Sequence, residues 1–159
     1  MIEMTIRKAK PKDIKRINDL LFQVAKIHAD GRPDIFKSAA KKYSNEELLK
    51  IIENENSPIF VAVDNSDCVL GYAFCLFEIT ENSNLLKNRK TLYIDDICVD
   101  ETARGMHIGK SLYEYVKAFA EENGFDNITL NVWALNDGAY KFYEKCGMKP
   151  LKITMEKIL

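Results

Sequence analysis

No apolar run in the chain is longer than the six residues from Tyr72 to Phe77, whereas a bilayer-spanning helix needs about 20. No membrane association is expected. Charge of one sign is also missing: 23 Lys and Arg face 24 Asp and Glu, for a net charge of −1. That balance leaves no general electrostatic footprint for nucleic acid or an anionic surface, so nucleic acid is not an expected partner. Met1 to Lys10 alternates charged and apolar residues, without the continuous apolar core of a secretory signal. Cysteine is sparse. Cys68, Cys75, Cys98 and Cys146 form no CxxC pair and have no histidine nearby, so zinc-cluster spacing is absent and no metal is expected. Three of the four lie in apolar runs, which suits reduced, buried thiols in a cytoplasmic protein. Seven glycines and four prolines are too few for a collagen-like or disordered chain.

What is present is a core-forming composition, 47% hydrophobic and 30% charged over 159 residues. A chain of that length buries roughly 70% of its unfolded surface. No repeat or composition shift marks a linker, so residues 1–159 read as one domain. Residues 2–9 read as a strand, and Pro11 suits the first turn of a helix. That helix has Ile14, Ile17, Leu21, Val24 and His28 on one face and ends at Gly31-Arg32-Pro33. Ser44 with Glu47 forms a capping box for a second helix reaching about Glu55. Residues 59–79 read as a hairpin turned at Asn65-Ser66-Asp67, and Thr91 to Val99 as a further strand. A helix from Ile108 to Gly124, a strand over 127–133, a helix over 137–146 and a last strand over 151–158 complete the pattern. The order β-α-α-β-β-β-α-β-α-β implies an α/β fold, a mixed sheet flanked by helices on both faces.

The segment between the strand ending at Val99 and the helix beginning at Ile108 carries the chemistry. The first N–H groups of a helix lack internal partners and attract anions. Gly105 and Gly109 allow close approach, while Arg104 and Lys110 add charge. An ordinary tight turn with solvated basic residues would look the same on this evidence alone. Gly109-Lys110-Ser111 imitates the end of a Walker A loop, but only three residues separate Gly105 from Gly109 where that loop needs four. A dinucleotide fingerprint fails as well, because Arg104, His107 and Ile108 do not supply its glycines.

Arg104-Gly105-Met106-His107-Ile108-Gly109 resembles the Arg/Gln-x-x-Gly-x-Gly/Ala motif of the GNAT superfamily of N-acetyltransferases. Tyr93 to Val99 is similar to that family's central strand. Asn131 to Asn136 and Ala139 to Met148 are similar to its second motif, and Ile6-Arg7-Lys8-Ala9 with Asp13 to its opening. The resemblance covers nearly the whole chain. It implies a GNAT-like fold and transfer of an acetyl group from acetyl-coenzyme A to a primary amine, by direct attack in a ternary complex. The acceptor would be a small amine or a peptide. Homodimers are frequent in the family. A non-catalytic acyl-coenzyme A-binding module of the same fold is the alternative, against which Tyr143 and the acidic pair Asp95 and Asp96 argue.

By the same resemblance, the backbone of Ile97, Cys98 and Val99 would hold the pantetheine arm. The amides of Arg104, Gly105, Met106, His107, Ile108, Gly109 and Lys110 would take the pyrophosphate, and Asn136 would bond the arm from the other side. His107 replaces the family's usual glycine; its amide serves equally well provided its torsions are helical. Tyr143 would protonate the departing thiolate. Either Asp95, the first choice, or Asp96 would be the base for an ammonium of pKa about 10. Strand alternation lets only one of the two face the site. His28 and Arg32, with Asp34 and Phe36, fall in the connection that borders the acceptor pocket in this family. For His28 the alternative is a residue ending an apolar helix face, for Arg32 turn chemistry. Trp133 reads as core packing.

Overall fold

The computed structural model describes residues 3–38 and 41–159. Its elements are β1 (Thr5–Lys8), α1 (Ile14–Gly31), α2 (Asn45–Glu53), β2 (Ile59–Val63), β3 (Val69–Thr80), β4 (Arg89–Val99), α3 (Ile108–Glu122), β5 (Asn127–Leu130) and α4 (Asp137–Lys145). Short 3-10 turns at Pro11–Asp13 and Glu101–Ala103 introduce α1 and follow β4. The five strands lie in chain order, antiparallel except for the parallel pair β4 and β5.

Strand alternation sorts the core into two layers. Ile59, Val61 and Val63 of β2 join Tyr72, Phe74 and Cys98 under Ile17, Leu20 and Leu21 of α1 and Leu48 of α2. Phe60 and Ala62 face the opposite way, with Leu92 and Ile94 of β4, under Ile108, Leu112 and Val116 of α3. This is the two-sided cover expected from the sequence. The capping box is formed as read: the Glu47 N–H donates to the Ser44 hydroxyl at 3.1 Å, and the Ser44 N–H donates to the Glu47 carboxylate at 2.9 Å. All four thiols are free; Cys75 and Cys98 are buried, Cys146 is half-buried and Cys68 is exposed.

Two expectations fail. β5 stops at Leu130 rather than residue 133 because its partner turns away; the last ladder pair is Ile94 with Leu130. Just beyond Ile94 the β3–β4 register shifts, Phe74 pairing with Asp96 but Cys75 with Ile94. Asp95 is therefore the extra residue of a β-bulge, which bends β4. The expected strand over 151–158 is also absent, since that segment has no ladder partner and every residue in it is exposed.

Gly71 is where α3 is allowed to approach the sheet. A Cβ there would stand 2.8 Å from the Cys98 carbonyl oxygen, and 3.2 and 3.3 Å from side-chain carbons of Ile108 and Leu112. Gly71→Ala should therefore cost about 1–3 kcal/mol, the usual penalty of overpacking. Urea titration should show a lower midpoint at unchanged slope; an unchanged midpoint would mean that the sheet relaxes freely.

Candidate active site

The bulge at Asp95 opens the sheet. Past it, Asp96 to Val99 of β4 still pair with β3, but among the described residues no strand lies on their other side. The opening is bounded by β4, by the loop after β5 and by α4. Above it comes the turn into α3. There the buried Asp100 carboxylate accepts bonds from the N–H and hydroxyl of Thr102, both at 2.9 Å. Asp100 is also ion-paired with Arg16 of α1, so this turn is anchored to the opposite layer.

Between Ala103 and Ile108 the backbone twists through two left-handed residues, Gly105 at φ 86° and His107 at φ 59°, ψ 24°. The helical torsions expected of His107 are not found. It occupies the conformation that favours glycine, and a side chain there costs roughly 1–2 kcal/mol. Its imidazole makes no cap bond. Among the described residues, none of the N–H groups of residues 104–110 donates to a protein acceptor; the first bond of this end of α3 runs from the Ser111 N–H to the His107 carbonyl at 3.1 Å. Arg104, Gly105, Met106, His107 and Lys110 are exposed, Gly109 is half-buried and Ile108 is buried. A Cβ on Gly109 would point toward Val99 and Phe142 at 3.7 Å, into the seam that joins the turn to the opening. This cradle of free amides fits a pyrophosphate with an attached arm entering the seam.

Asp95 and Asp96 do not lie on opposite faces. The extra residue in the bulge cancels the alternation, so Leu92, Ile94, Ile97 and Val99 face α3 while both carboxylates face the α1–α2 side. Asp95 is ion-paired with Lys42 at 3.2 Å and remains 38% exposed. Burial pulls the Lys42 ammonium down, but Asp95 and its neighbours outweigh it and hold the pKa above the ordinary lysine value. Asp96 accepts a 2.6 Å bond from the hydroxyl of the fully buried Tyr72. Burial raises its pKa above the ordinary carboxylate range, against the Tyr72 bond and the positive charge of Lys42. Neither Tyr72 nor Lys42 was singled out from the sequence.

The remaining candidates are distributed as follows. Tyr143 projects from α4 against the α3 layer, its ring edge-on to Phe142 at 5.0 Å and tilted to Tyr113 at 6.4 Å. Burial, then the nearby Asp96 charge, pushes its phenol well above the ordinary value. The Cys98 thiol points toward α1 and is pushed up to about 12, mainly by burial. Asn136 caps α4, its side-chain oxygen accepting from the Ala139 N–H at 3.1 Å, which leaves only its amide nitrogen for an incoming arm. Arg32 is committed: it forks onto Asp34 at 2.9 and 2.7 Å and reaches Glu156 at 2.8 Å. Trp133 is not core packing but 42% exposed. It forms an aromatic corner with Phe36 and His28, at ring separations of 5.2 and 6.5 Å.

A sequence profile of the acetyltransferase (GNAT) family matches residues 21–148, most of the chain. The chain belongs to the GNAT acetyltransferase family. A crystal structure of a mutant BH1408 protein from Bacillus halodurans superposes with a TM-score of 0.93 at 34% identity, covering 98% of this chain and 99% of that one. The probable N-acetyltransferase san of Drosophila melanogaster is 35% identical over 85 residues, 53% of this chain but 43% of that protein's length. Glucosamine 6-phosphate N-acetyltransferase of Arabidopsis thaliana is 26% identical over 117 residues, 74% of this chain and 68% of that one. An aminoglycoside N-acetyltransferase in complex with coenzyme A shares the fold, with a TM-score of 0.74 at 14% identity over 100% of this chain and 96% of that one. This GNAT protein thus shares the fold of its structural relatives, a mixed sheet with flanking helices.

Proposed function

We propose that this GNAT protein transfers an acetyl group from acetyl-coenzyme A to a primary amine, by direct attack within a ternary complex. The observation that carries the reading is the bulge-made opening. It sets a half-buried carboxyl, Asp96, on one wall and a phenol kept neutral, Tyr143, on the α4 side, below the free amides that precede α3. Those amides, with Arg104 and Lys110, bind the pyrophosphate. The backbone of Ile97, Cys98 and Val99 takes the pantetheine arm as an added strand would be taken, and an N–H of this edge donates to the acetyl oxygen as negative charge develops there. Asn136 contributes its side-chain N–H.

Asp96 accepts the proton of the incoming ammonium, directly or through water. It is a better base here than Asp95, whose carboxylate is engaged by Lys42. The freed amine attacks the carbonyl carbon, the carbon–sulfur bond breaks as Tyr143 donates its hydroxyl proton to the leaving sulfur, and the second nitrogen proton passes to the Tyr143 phenolate, leaving a neutral amide and a neutral thiol. The acceptor approaches past the corner of His28, Phe36 and Trp133. The relatives include a glucosamine 6-phosphate N-acetyltransferase and an aminoglycoside acetyltransferase, so an amine acceptor is supported as a class. The test is release of free coenzyme A thiol across a panel of small amines and peptides, with melting curves in parallel. Acetyl-coenzyme A at about 100 times its Kd should stabilise the fold by about 2.7 kcal/mol, and ATP or nicotinamide dinucleotides much less. Tighter binding of ATP would overturn the cofactor assignment. Strong acetyl-coenzyme A binding without thiol release for any acceptor would favour the non-catalytic module.

A further inference from the structure

The carbonyl oxygen of the Gln23 side chain is buried and, among the described residues, has no hydrogen-bond partner. Folding strips such an atom of water and returns nothing, so its presence needs a reason. Asn18 Oδ1 shares the condition, but the amide nitrogen of Asn18 is bonded to Asn45 at 2.9 Å, which gives that side chain a task in joining α1 to α2. Gln23 has no such task.

Its neighbours on α1 fix where that oxygen lies. Arg16 stands on the same side of the helix, two turns earlier, and is ion-paired with Asp100 just past β4. The Leu20 carbonyl oxygen lies 3.9 Å from the Cys98 thiol. α1 therefore runs antiparallel to β4. Four helical residues at about 1.5 Å each match two strand residues at about 3.3 Å, and continuing the same step brings Gln23 level with Asp96 and Ile97. His28, one turn beyond, is close enough for its charge to act on Asp96. Since Asn18 holds α2 on the other flank, the flank of Arg16 and Gln23 is the one turned toward the opening.

Most acceptors on this wall are already engaged. Lys42 holds Asp95, and Tyr72 donates to Oδ2 of Asp96. Oδ1 of Asp96 and Oε1 of Gln23 are left, two acceptors on the α1–α2 side, whereas the seam for the cofactor arm opens at Val99 and Phe142 on the α3 side. We propose that Gln23 is a second anchor for the acceptor nitrogen: the incoming primary ammonium donates one N–H to Asp96 and another to the Gln23 carbonyl oxygen. The N–H held by Gln23 remains after Asp96 has taken its proton, so the amine keeps its place while it attacks. A hydroxyl has one hydrogen and leaves one of the two acceptors buried and unpaired. The pair therefore selects nitrogen over oxygen acceptors, and a primary nitrogen over a dialkylated one. This inference rests on the proposed acetyl transfer and names how its acceptor is recognised.

Equilibrium binding in the presence of coenzyme A, which has no acetyl group to give, tests it. The probes are phenethylamine, whose ring suits the corner of His28, Phe36 and Trp133, and N,N-dimethylphenethylamine, a cation with a single N–H. The parent protein should bind phenethylamine at least about tenfold more tightly, the worth of one bond from a charged donor. Gln23→Met keeps the length and helix preference of the side chain and removes the acceptor. In that variant the preference should shrink to within about twofold, with coenzyme A affinity unchanged. Its melting temperature should hold or rise, because an unpaired buried oxygen is gone; a glutamine with only a structural role would give a fall. A parent without the preference, a folded variant that keeps it, or a variant that melts lower would each overturn the proposal. Weakened coenzyme A binding with the preference intact would assign Gln23 to the cofactor arm instead. Absence of thiol release from acetyl-coenzyme A with every amine would strike the transfer reading alone, since the preference is measured without transfer.

Discussion

Asp96→Asn should lower kcat/KM by about 10³-fold, within the range of a lost general base, while acetyl-coenzyme A affinity changes by less than about twofold. The substitution is close to isosteric, and the asparagine oxygen can still accept the bond that Tyr72 donates to Asp96 at 2.6 Å. Packing should survive and proton acceptance should not. The pH profile separates this role from a structural one. Burial raises the Asp96 pKa, so kcat/KM should climb with pH through a midpoint above the ordinary carboxylate range, and the variant should lack that limb. Stability should move the other way. A group whose folded pKa is raised contributes stability that is present below its unfolded value and lost as pH rises through the folded one. Once ionised, Asp96 is therefore a burden on the fold, and above its folded pKa Asp96→Asn should melt higher than the parent. An acid limb unchanged in the variant would remove Asp96 from the chemistry. Lower activity together with a lower melting temperature would make it a structural residue.

Tyr143→Phe should slow single-turnover acetyl transfer by roughly 10²-fold at nearly constant cofactor affinity, the signature of a group acting only in the transition state. The ring is retained, so its edge contact with Phe142 at 5.0 Å and its place against the α3 layer persist. The hydroxyl is well suited to donate. Burial and the Asp96 charge hold its pKa well above the ordinary phenol, so it stays protonated across neutral pH and is in the form that can donate. Single-turnover measurement is needed because slow product release would mask the step. A folded variant with the parental rate would leave Tyr143 as a packing residue, with water supplying the proton.

Much of the architecture is legible because its local signals agree. The capping box at Ser44, the hairpin around Asp67 and the apolar face of α3 are each within a few residues of their place in the structure. The cradle before α3 is legible too, since two glycines and two basic residues between a strand and a helix are a local pattern. What escaped depends on partners remote in the chain. Tyr72 meets Asp96 across the β3–β4 ladder, and Lys42 reaches Asp95 from before α2; neither approach leaves a mark in the sequence nearby. The segment 151–159 has a strand's pattern but, among the described residues, no ladder partner to turn pattern into structure. The bulge does leave a local trace. Leu92, Ile94, Ile97 and Val99 are spaced two, three and two residues apart, and a single step of three in an alternating run is the trace of one inserted residue.

That inserted residue separates two kinds of selection on β4. The apolar row facing α3 passes from Ile94 to Ile97 without losing a member, so the core is indifferent to which side chain stands at position 95. The position is half in solvent, beside the opening, and touches Lys42 rather than the interior. Variation there can retune which amines are welcomed while foldability stays intact. A site whose selectivity can drift at little risk to its scaffold is one on which new acceptors can be acquired by single substitutions.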